Sequence, residues 1–194
     1  MEENKSVPEN ALTLLKSGNE HRIKDNYEAA IADYNAALTI KPDYSEALNY
    51  RGLTYALMDE LDKAIADWSA LLKIEPNHYI ALYSRAIAYA KKEDGGRAIE
   101  DLSAALAIKG DYWQALNNRG IEYAKKGDYK AAIADFTAAL ALKPGLFEAL
   151  NNRGISYYNI GDTEKAIADW EAVLRLEPNH EDARKNLEFA KQGN

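Results

Sequence analysis

Three histidines and one serine motif are the residues whose types could support metal binding or catalysis. His21, His78 and His180 each lack a second histidine three or four residues away, the spacing by which one helix presents two zinc ligands. The segment 154–158 reads Gly-Ile-Ser-Tyr-Tyr and lacks the last glycine of a nucleophile elbow. The chain has no cysteine, which excludes disulfides, thiolate ligands and a cysteine nucleophile. We therefore expect no enzyme activity, no cofactor and no metal site.

The charge balance argues against two further classes of function. The 194 residues include 24 Lys and Arg and 31 Asp and Glu, a formal net charge of −7. An acidic chain without a basic cluster is poorly suited to bind nucleic acid or an anionic membrane. No apolar run approaches the ~18 residues that cross a bilayer. We expect a soluble protein that neither binds nucleic acid nor inserts into a membrane, and that is cytoplasmic or, if a leader has been removed, periplasmic.

Arginine and aspartate each recur at intervals of 34 residues. A charged side chain that is partly buried between helices needs an opposite charge, so the two series predict structural ion pairs repeated along the fold. An anion-binding row of arginines is the alternative interpretation. The residues of the predicted ion pairs are Asp33, Arg51, Asp67, Arg85, Asp101, Arg119, Asp135, Arg153 and Asp169.

The same interval of 34 residues governs most of the sequence. The tetrapeptide Ala-Ile-Ala-Asp occurs at 30–33, 64–67, 132–135 and 166–169, with Ala-Ile-Glu-Asp at 98–101. Residues 113–146 and 147–180 are identical at 18 of 34 positions. Repetition with such a period is typical of arrays of one supersecondary unit. The five predicted repeats are 11–44, 45–78, 79–112, 113–146 and 147–180.

Each repeat divides into two blocks of helix length. In the fourth repeat, Leu116, Gly120 and Tyr123 recur at spacings of four and three, which makes one helical stripe. A second stripe follows in residues 129–142. Pro144 ends the repeat, because the residue before a proline disfavours helical backbone. Two short amphipathic helices with facing stripes predict an antiparallel hairpin.

The repeats resemble the tetratricopeptide repeat. The resemblance rests on Gly-x-x-Tyr at 52–55, 120–123 and 154–157, on one constant alanine in each second helix, and on the proline that ends four repeats. It implies an all-α fold, a right-handed α-solenoid of antiparallel helix hairpins with a concave groove that binds proteins and peptides. It also implies a single array over 11–194, with a capping helix over 181–191 and a flexible tail over 1–10.

The first helix of each repeat lines the concave groove in this family, and that geometry selects the candidate binding residues. Asparagine amides both donate and accept, so rows of them can pair with the backbone of an extended peptide, while aliphatic and aromatic rows supply apolar contacts. Recent duplication would also explain the repeated Asn-Asn pairs, without any binding role. The candidates are Asn49, Tyr50, Leu53, Tyr83, Ile87, Asn117, Asn118, Ile121, Asn151, Asn152 and Ile155.

The predicted function is that of an adaptor or scaffold that binds a protein or an extended peptide. A subset of the family grips the C-terminal carboxylate of chaperones with a clamp of Lys, Asn and Arg. Asn19 matches one clamp position, but Leu15, Tyr50 and Ser84 stand where the other clamp residues are expected, so we expect no such ligand. The alternative is a self-assembling structural protein, because residues 11–24 carry apolar side chains with no capping helix before them.

The third repeat departs most from the common pattern. Gly95 stands where other repeats have Tyr, Leu or Thr, Leu102 replaces an aromatic residue, and Gly110 replaces proline. Smaller side chains and added glycines predict weaker packing and a more flexible backbone. We therefore expect the third repeat to be the least stable of the five.

Overall fold

The computed structural model describes residues 7–192, which form eleven α-helices and no strand. The helices are α1 Glu9–Ile23, α2 Tyr27–Ile40, α3 Ser45–Leu57, α4 Leu61–Ile74, α5 Tyr79–Lys91, α6 Gly95–Ile108, α7 Trp113–Lys125, α8 Tyr129–Leu142, α9 Phe147–Asn159, α10 Thr163–Leu176 and α11 Glu181–Gln192. The predicted all-α fold class is confirmed. None of these eleven helices is long and apolar enough to cross a membrane.

Four pairs of consecutive helices pack as hairpins with the most extensive contacts: α1–α2, α3–α4, α7–α8 and α9–α10. The turns between the first and second helix of the five repeats share one backbone conformation. Each contains a residue with positive φ, at Asp25, Asp59, Glu93, Gly127 and Gly161. The backbone N–H of the next residue donates to the carbonyl oxygen five residues earlier, as Asp128 does to Tyr123 at 2.9 Å. This is the Schellman arrangement. Only the two glycines adopt this backbone without a steric cost at the β-carbon.

Helix α1 begins at Glu9, inside the segment 1–10 that the sequence assigned to a flexible tail. Pro8 precedes it, at a place where the missing N–H leaves no helical hydrogen bond unmade. The Glu9 carboxylate lies in the first turn, where the helix dipole favours negative charge. Residues 1–6 of the predicted tail lie outside the described residues. Helix α11 covers the segment predicted as the capping helix.

By its internal contacts the chain divides into two compact units, one up to Asp94 and one from Gly95 onward. The division falls between α5 and α6, the two helices of the third predicted repeat. The first unit therefore contains α1–α5 and the second contains α6–α11. The single array over 11–194 stays a prediction.

A glycine of the first helix faces a large aromatic side chain of the second helix in four repeats. The pairs are Gly18 with Tyr34, Gly52 with Trp68, Gly120 with Phe136 and Gly154 with Trp170. A β-carbon on Gly120 would lie 2.8 Å from Cε1 of Phe136, which is too close for any side chain. This close approach buries the ring completely and explains a glycine in mid-helix, where it costs about 1 kcal/mol relative to alanine.

Gly95 has a packing role in the second unit that the sequence did not suggest. A β-carbon on Gly95 would lie 2.7 Å from Oε2 of Glu122, a residue of α7 that is buried and accepts a hydrogen bond from Lys125 at 2.7 Å. The equivalent residues of three other repeats are small and buried: Thr54, Ala88 and Ser156. The larger Glu122 thus fills space that a side chain at position 95 would need. The low stability of the third repeat stays a prediction. Gly95 does not only remove a packing side chain, because it also makes room for Glu122.

A larger side chain at Ala132 tests which side of the second helices packs in the core. Ala132 is fully buried on α8, so leucine must displace core side chains, and we expect a loss of about 1–3 kcal/mol in the free energy of unfolding. Denaturant titration measures this loss. The control Ala141→Leu, on the exposed side of the same helix, should change the value by less than about 0.5 kcal/mol. Equal stability of the two variants would show that Ala132 does not lie on the buried side of α8.

Candidate functional site

All eleven candidate binding residues lie on first helices of repeats, and all are partly exposed. In the first unit, α3 and α5 contact each other, and we call their candidate surface the α3–α5 face; it carries Asn49, Tyr50, Leu53, Tyr83 and Ile87. In the second unit, α7 and α9 contact each other and form the α7–α9 face; it carries Asn117, Asn118, Ile121, Asn151, Asn152 and Ile155. Each unit therefore presents its own set of candidates on adjacent helices.

An apolar pocket of about 210 Å³ opens on the α3–α5 face. Its walls include Leu53, Ala56, Trp68, Tyr83, Ile87 and Lys91. The indole of Trp68 is almost fully buried, and its Nε1–H donates to Oδ1 of Asn49 at 3.3 Å. Trp68 comes from the second helix α4, so it was absent from the candidates chosen on first helices.

Tyr50 packs against the first repeat and is less available than the sequence suggested. Its ring stacks on Tyr34 with centroids 6.4 Å apart, and the guanidinium of Arg22 lies 5.4 Å from the Tyr50 ring centroid. The Tyr34 hydroxyl in turn donates to Oδ1 of Asn19 at 2.8 Å. Asn19, which matched one position of the chaperone clamp, thus already accepts a hydrogen bond within the fold.

Two amide oxygens on the α7–α9 face are buried without partners. Oδ1 of Asn117 and Oδ1 of Asn151 have no hydrogen-bond partner among the described residues. The equivalent oxygen of Asn49 accepts from an indole, but Phe136 at the matching position near Asn117 cannot donate. Nε1 of Trp170, which could have served Asn151, also has no partner in the part of the chain described. Within residues 7–192, these two amide oxygens therefore have no protein donor.

The second amide of each Asn-Asn pair behaves differently. Nδ2 of Asn118 donates to the backbone oxygen of Gln114 in its own helix at 2.9 Å. Asn152 makes no side-chain hydrogen bond within residues 7–192. Ile121 and Ile155 lie one turn further along α7 and α9 and add an apolar strip beside the amides.

Arginines of the first helices each join two repeats. Arg119 of α7 donates from Nε and Nη2 to the two carboxylate oxygens of Asp135 at 2.7 and 2.8 Å. Its Nη1 donates to Oγ of Ser103 at 3.0 Å. Asp135 belongs to the same repeat and Ser103 to the preceding one. The same three contacts join Arg51 to Asp67 and Asn35, and Arg153 to Asp169 and Thr137.

The surroundings of these arginines favour a structural role over anion binding. The aspartate partners are buried, whereas the arginine side chains are about one-fifth exposed. Hydrogen bonds to the carboxylates raise the pKa of Arg51, Arg119 and Arg153 above the ordinary value for arginine. Three of the five N–H bonds of each guanidinium already point at protein acceptors.

Two parts of the predicted ion-pair series differ from this pattern. Asp33 has no arginine partner, because Ser17 occupies the equivalent position. Nε2 of His21 lies 4.0 Å from Oδ2 of Asp33, and this oxygen is buried without a hydrogen-bond partner among the described residues. Asp33 is therefore removed from the series. Arg85 donates to Oγ of Ser69 at 3.0 Å within the first unit, and its pairing with Asp101 of the second unit stays a prediction.

Sequence reasoning missed the second acceptor of each arginine. The acceptors are Asn35, Ser69, Ser103 and Thr137, each 16 residues before its arginine. Their only signal in the sequence is a short polar residue at one position of each repeat. Such residues are common on exposed helix surfaces, so the arginine contacts were needed to single them out.

The histidines that were weighed as metal ligands have local structural contacts. Nδ1 of His78 accepts from the backbone N–H of Ala81 at 3.1 Å, and Nδ1 of His180 accepts from that of Ala183 at 3.2 Å. Both therefore cap the start of a helix. Within residues 7–192, no three His, Asp or Glu side chains are grouped to hold a metal ion.

Sequence models of one repeat family match several stretches of the chain. A model described as TPR repeat matches residues 18–59. Models described as tetratricopeptide repeat match residues 45–78, 113–146 and 147–180. Together these ranges cover more than half of the chain. No curated protein matches the sequence.

Solved structures of low sequence identity share the fold. A crystal structure of MamA is 24% identical, with a TM-score of 0.83 over 90% of this chain and 95% of that one. MamA 41-end from Desulfovibrio magneticus RS-1 is 19% identical, with a TM-score of 0.84 over 90% and 99%. YrrB, described as a TPR protein with an unusual peptide-binding site, is 23% identical, with a TM-score of 0.83 over 95% and 93%. At such identities the likeness establishes the fold alone.

Removal of Asp135 tests the arginine contact. Breaking a buried ion pair costs about 3–5 kcal/mol and an exposed pair about 0–1 kcal/mol. Because the Arg119 side chain is 20% exposed, we expect Asp135→Ala to lower the free energy of unfolding by about 2–4 kcal/mol in denaturant titrations. The control Glu171→Ala removes an exposed pair with Lys191 and should cost less than about 1 kcal/mol. If Asp135→Ala cost no more than the control, the arginine row would return to the anion-binding interpretation.

Proposed function

Because the chain belongs to the tetratricopeptide repeat family, we propose that it is an adaptor or scaffold that binds a protein or an extended peptide on its first-helix faces. Repeat arrays of this kind offer extended surfaces for protein recognition. The likeness to YrrB, which is described as having a peptide-binding site, supports the proposal. The proposed activity is binding without catalysis.

The observation that carries the proposal is the pair of unpartnered amide oxygens on the α7–α9 face. Leaving a buried acceptor unsatisfied costs about 1–3 kcal/mol. The two oxygens are buried, so they meet a peptide donor after their side chains rotate toward the surface, and the relief of that cost favours the rotation. Oδ1 of Asn117 and Oδ1 of Asn151 recur at the same position on neighbouring helices. An extended peptide offers backbone N–H donors at regular intervals, whatever its side chains. Two equivalent acceptors beside an aliphatic strip therefore suit a peptide backbone.

Self-association is a second candidate function, favoured by exposed apolar side chains in the first unit. Ile23 and Leu57 occupy equivalent positions at the ends of α1 and α3 and are 74% and 58% exposed. Exposed apolar residues at neighbouring positions mark interaction surfaces when they form a patch. Light scattering across a concentration series separates the two candidates. A monomer at every concentration supports peptide binding, and growth with concentration supports assembly.

The double variant Asn117→Ala with Asn151→Ala tests the amide mechanism. The binding partners are synthetic peptides recovered by panning a random heptapeptide display library on the full chain. We expect the double variant to bind them about 1–3 kcal/mol more weakly, because their backbone donors lose their acceptors. The melting temperature should not fall, because the two oxygens bond to nothing in the free protein.

The matched control is Asn159→Ala, also on α9. Its Nδ2 already donates to the backbone oxygen of Ile155 at 2.8 Å, and its side chain is exposed. Isothermal titration should give wild-type affinity for this control. Unchanged affinity in the double variant would reject the amide mechanism.

A further inference from the structure

We propose that the pocket of the α3–α5 face selects one bulky apolar side chain from a peptide that carries a carboxylate next to it. The inference rests on the proposed peptide-binding function and adds the class of peptide. It is carried by the size of the pocket, by the way the second unit fills the equivalent space, and by the lysine on the pocket wall.

The volume of the pocket matches a single large side chain. An engineered apolar cavity of about 150 Å³ binds benzene, and this pocket measures about 210 Å³. Leu53, Trp68 and Ile87 supply apolar walls, so a polar side chain would lose its hydration there without gaining partners. A phenyl, indole or branched aliphatic group fits both the volume and the lining.

The second unit fills the corresponding space with its own aromatic rings. Positions 102 residues further along place Trp170 where the first unit has Trp68, and Tyr158 where it has Ala56. The Tyr158 ring lies 6.1 Å from the ring of Trp170. Phe189 of α11, equivalent to Ile87, lies 5.9 Å from Tyr158. An aromatic ring therefore packs on the equivalent tryptophan within this same chain, whereas the space beside Trp68 is open.

One basic side chain lies on the pocket wall, although the whole chain has a net charge of −7. Lys91 lies on the pocket wall with its side chain 56% exposed, and its Nζ is 4.0 Å from the nearest carboxylate, Asp59. The ion pair with Asp59 is exposed and therefore weak, so charge complementarity with Lys91 favours an Asp or Glu next to the inserted side chain.

The test begins with the random heptapeptide library panned on the full chain at low ionic strength. We expect the recovered peptides to share one Phe, Trp, Leu or Met flanked by Asp or Glu. Replacing that apolar residue with Ala in a synthetic peptide should weaken binding at least tenfold. The wild-type complex should also change the tryptophan fluorescence, because Trp68 lines the pocket.

The variant Ala56→Tyr fills the pocket with the side chain that the chain itself carries at position 158. The Ala56→Tyr protein should bind the original peptide and its Ala-substituted form with equal affinity, because the pocket is no longer open to the apolar side chain. The control Ala124→Tyr, at the equivalent position of α7, should retain that loss. Lys91→Glu leaves the pocket volume intact and should weaken binding at least tenfold at low salt, with a smaller effect at high salt. It also keeps the proposal testable if Ala56→Tyr fails to fold.

Each outcome has a defined meaning. If the library yields no binding peptide, the proposed function fails and this inference fails with it. Two results overturn only this inference. One is that the binding peptides lack the apolar and acidic residues. The other is that the Ala56→Tyr protein still binds the Ala-substituted peptide tenfold more weakly than the original peptide. Concentration-dependent self-association that Ala56→Tyr abolishes would identify a second copy as the occupant, and would also overturn it.

Discussion

The close approach of two helices at a glycine is the contact on which four of the five repeats depend. At Gly120 a β-carbon would overlap Phe136, so the aromatic ring can be fully buried only when the first helix offers no side chain there. This contact fixes which side of the first helix faces the core. Asn117 lies one turn before Gly120, close to this contact, and its Oδ1 is buried, whereas Asn118 and Ile121 are partly exposed on the α7–α9 face.

The arginine contacts add orientation to this apolar packing. Apolar surfaces attract without strong directional preference, whereas a bidentate guanidinium–carboxylate pair sets angles as well as distance. Arg119 and Arg153 each reach one acceptor in the preceding repeat and one in their own. Neighbouring first helices are therefore held in register. Rows such as Asn117 and Asn151 can then act together on one extended partner.

The sequence predicted the features that depend on its period and missed those that depend on contacts between distant positions. The interval of 34 residues located the helices, the candidate rows and most of the arginine–aspartate series. It could not predict that Glu122 would fill the space beside Gly95. The two residues are 27 positions apart, and each differs from the equivalent residues of the other repeats without pointing to the other. The pocket was missed because Trp68 reaches it from a second helix.

The central claim is that ligands bind the first-helix faces, and nitrogen-15 correlation spectra of the full chain test it most directly. The titrant is a synthetic peptide recovered from the display library. We expect the largest amide shift changes on α3 and α5 or on α7 and α9, with small changes along the exposed sides of α2, α8 and α10. The largest changes on those second helices would contradict it.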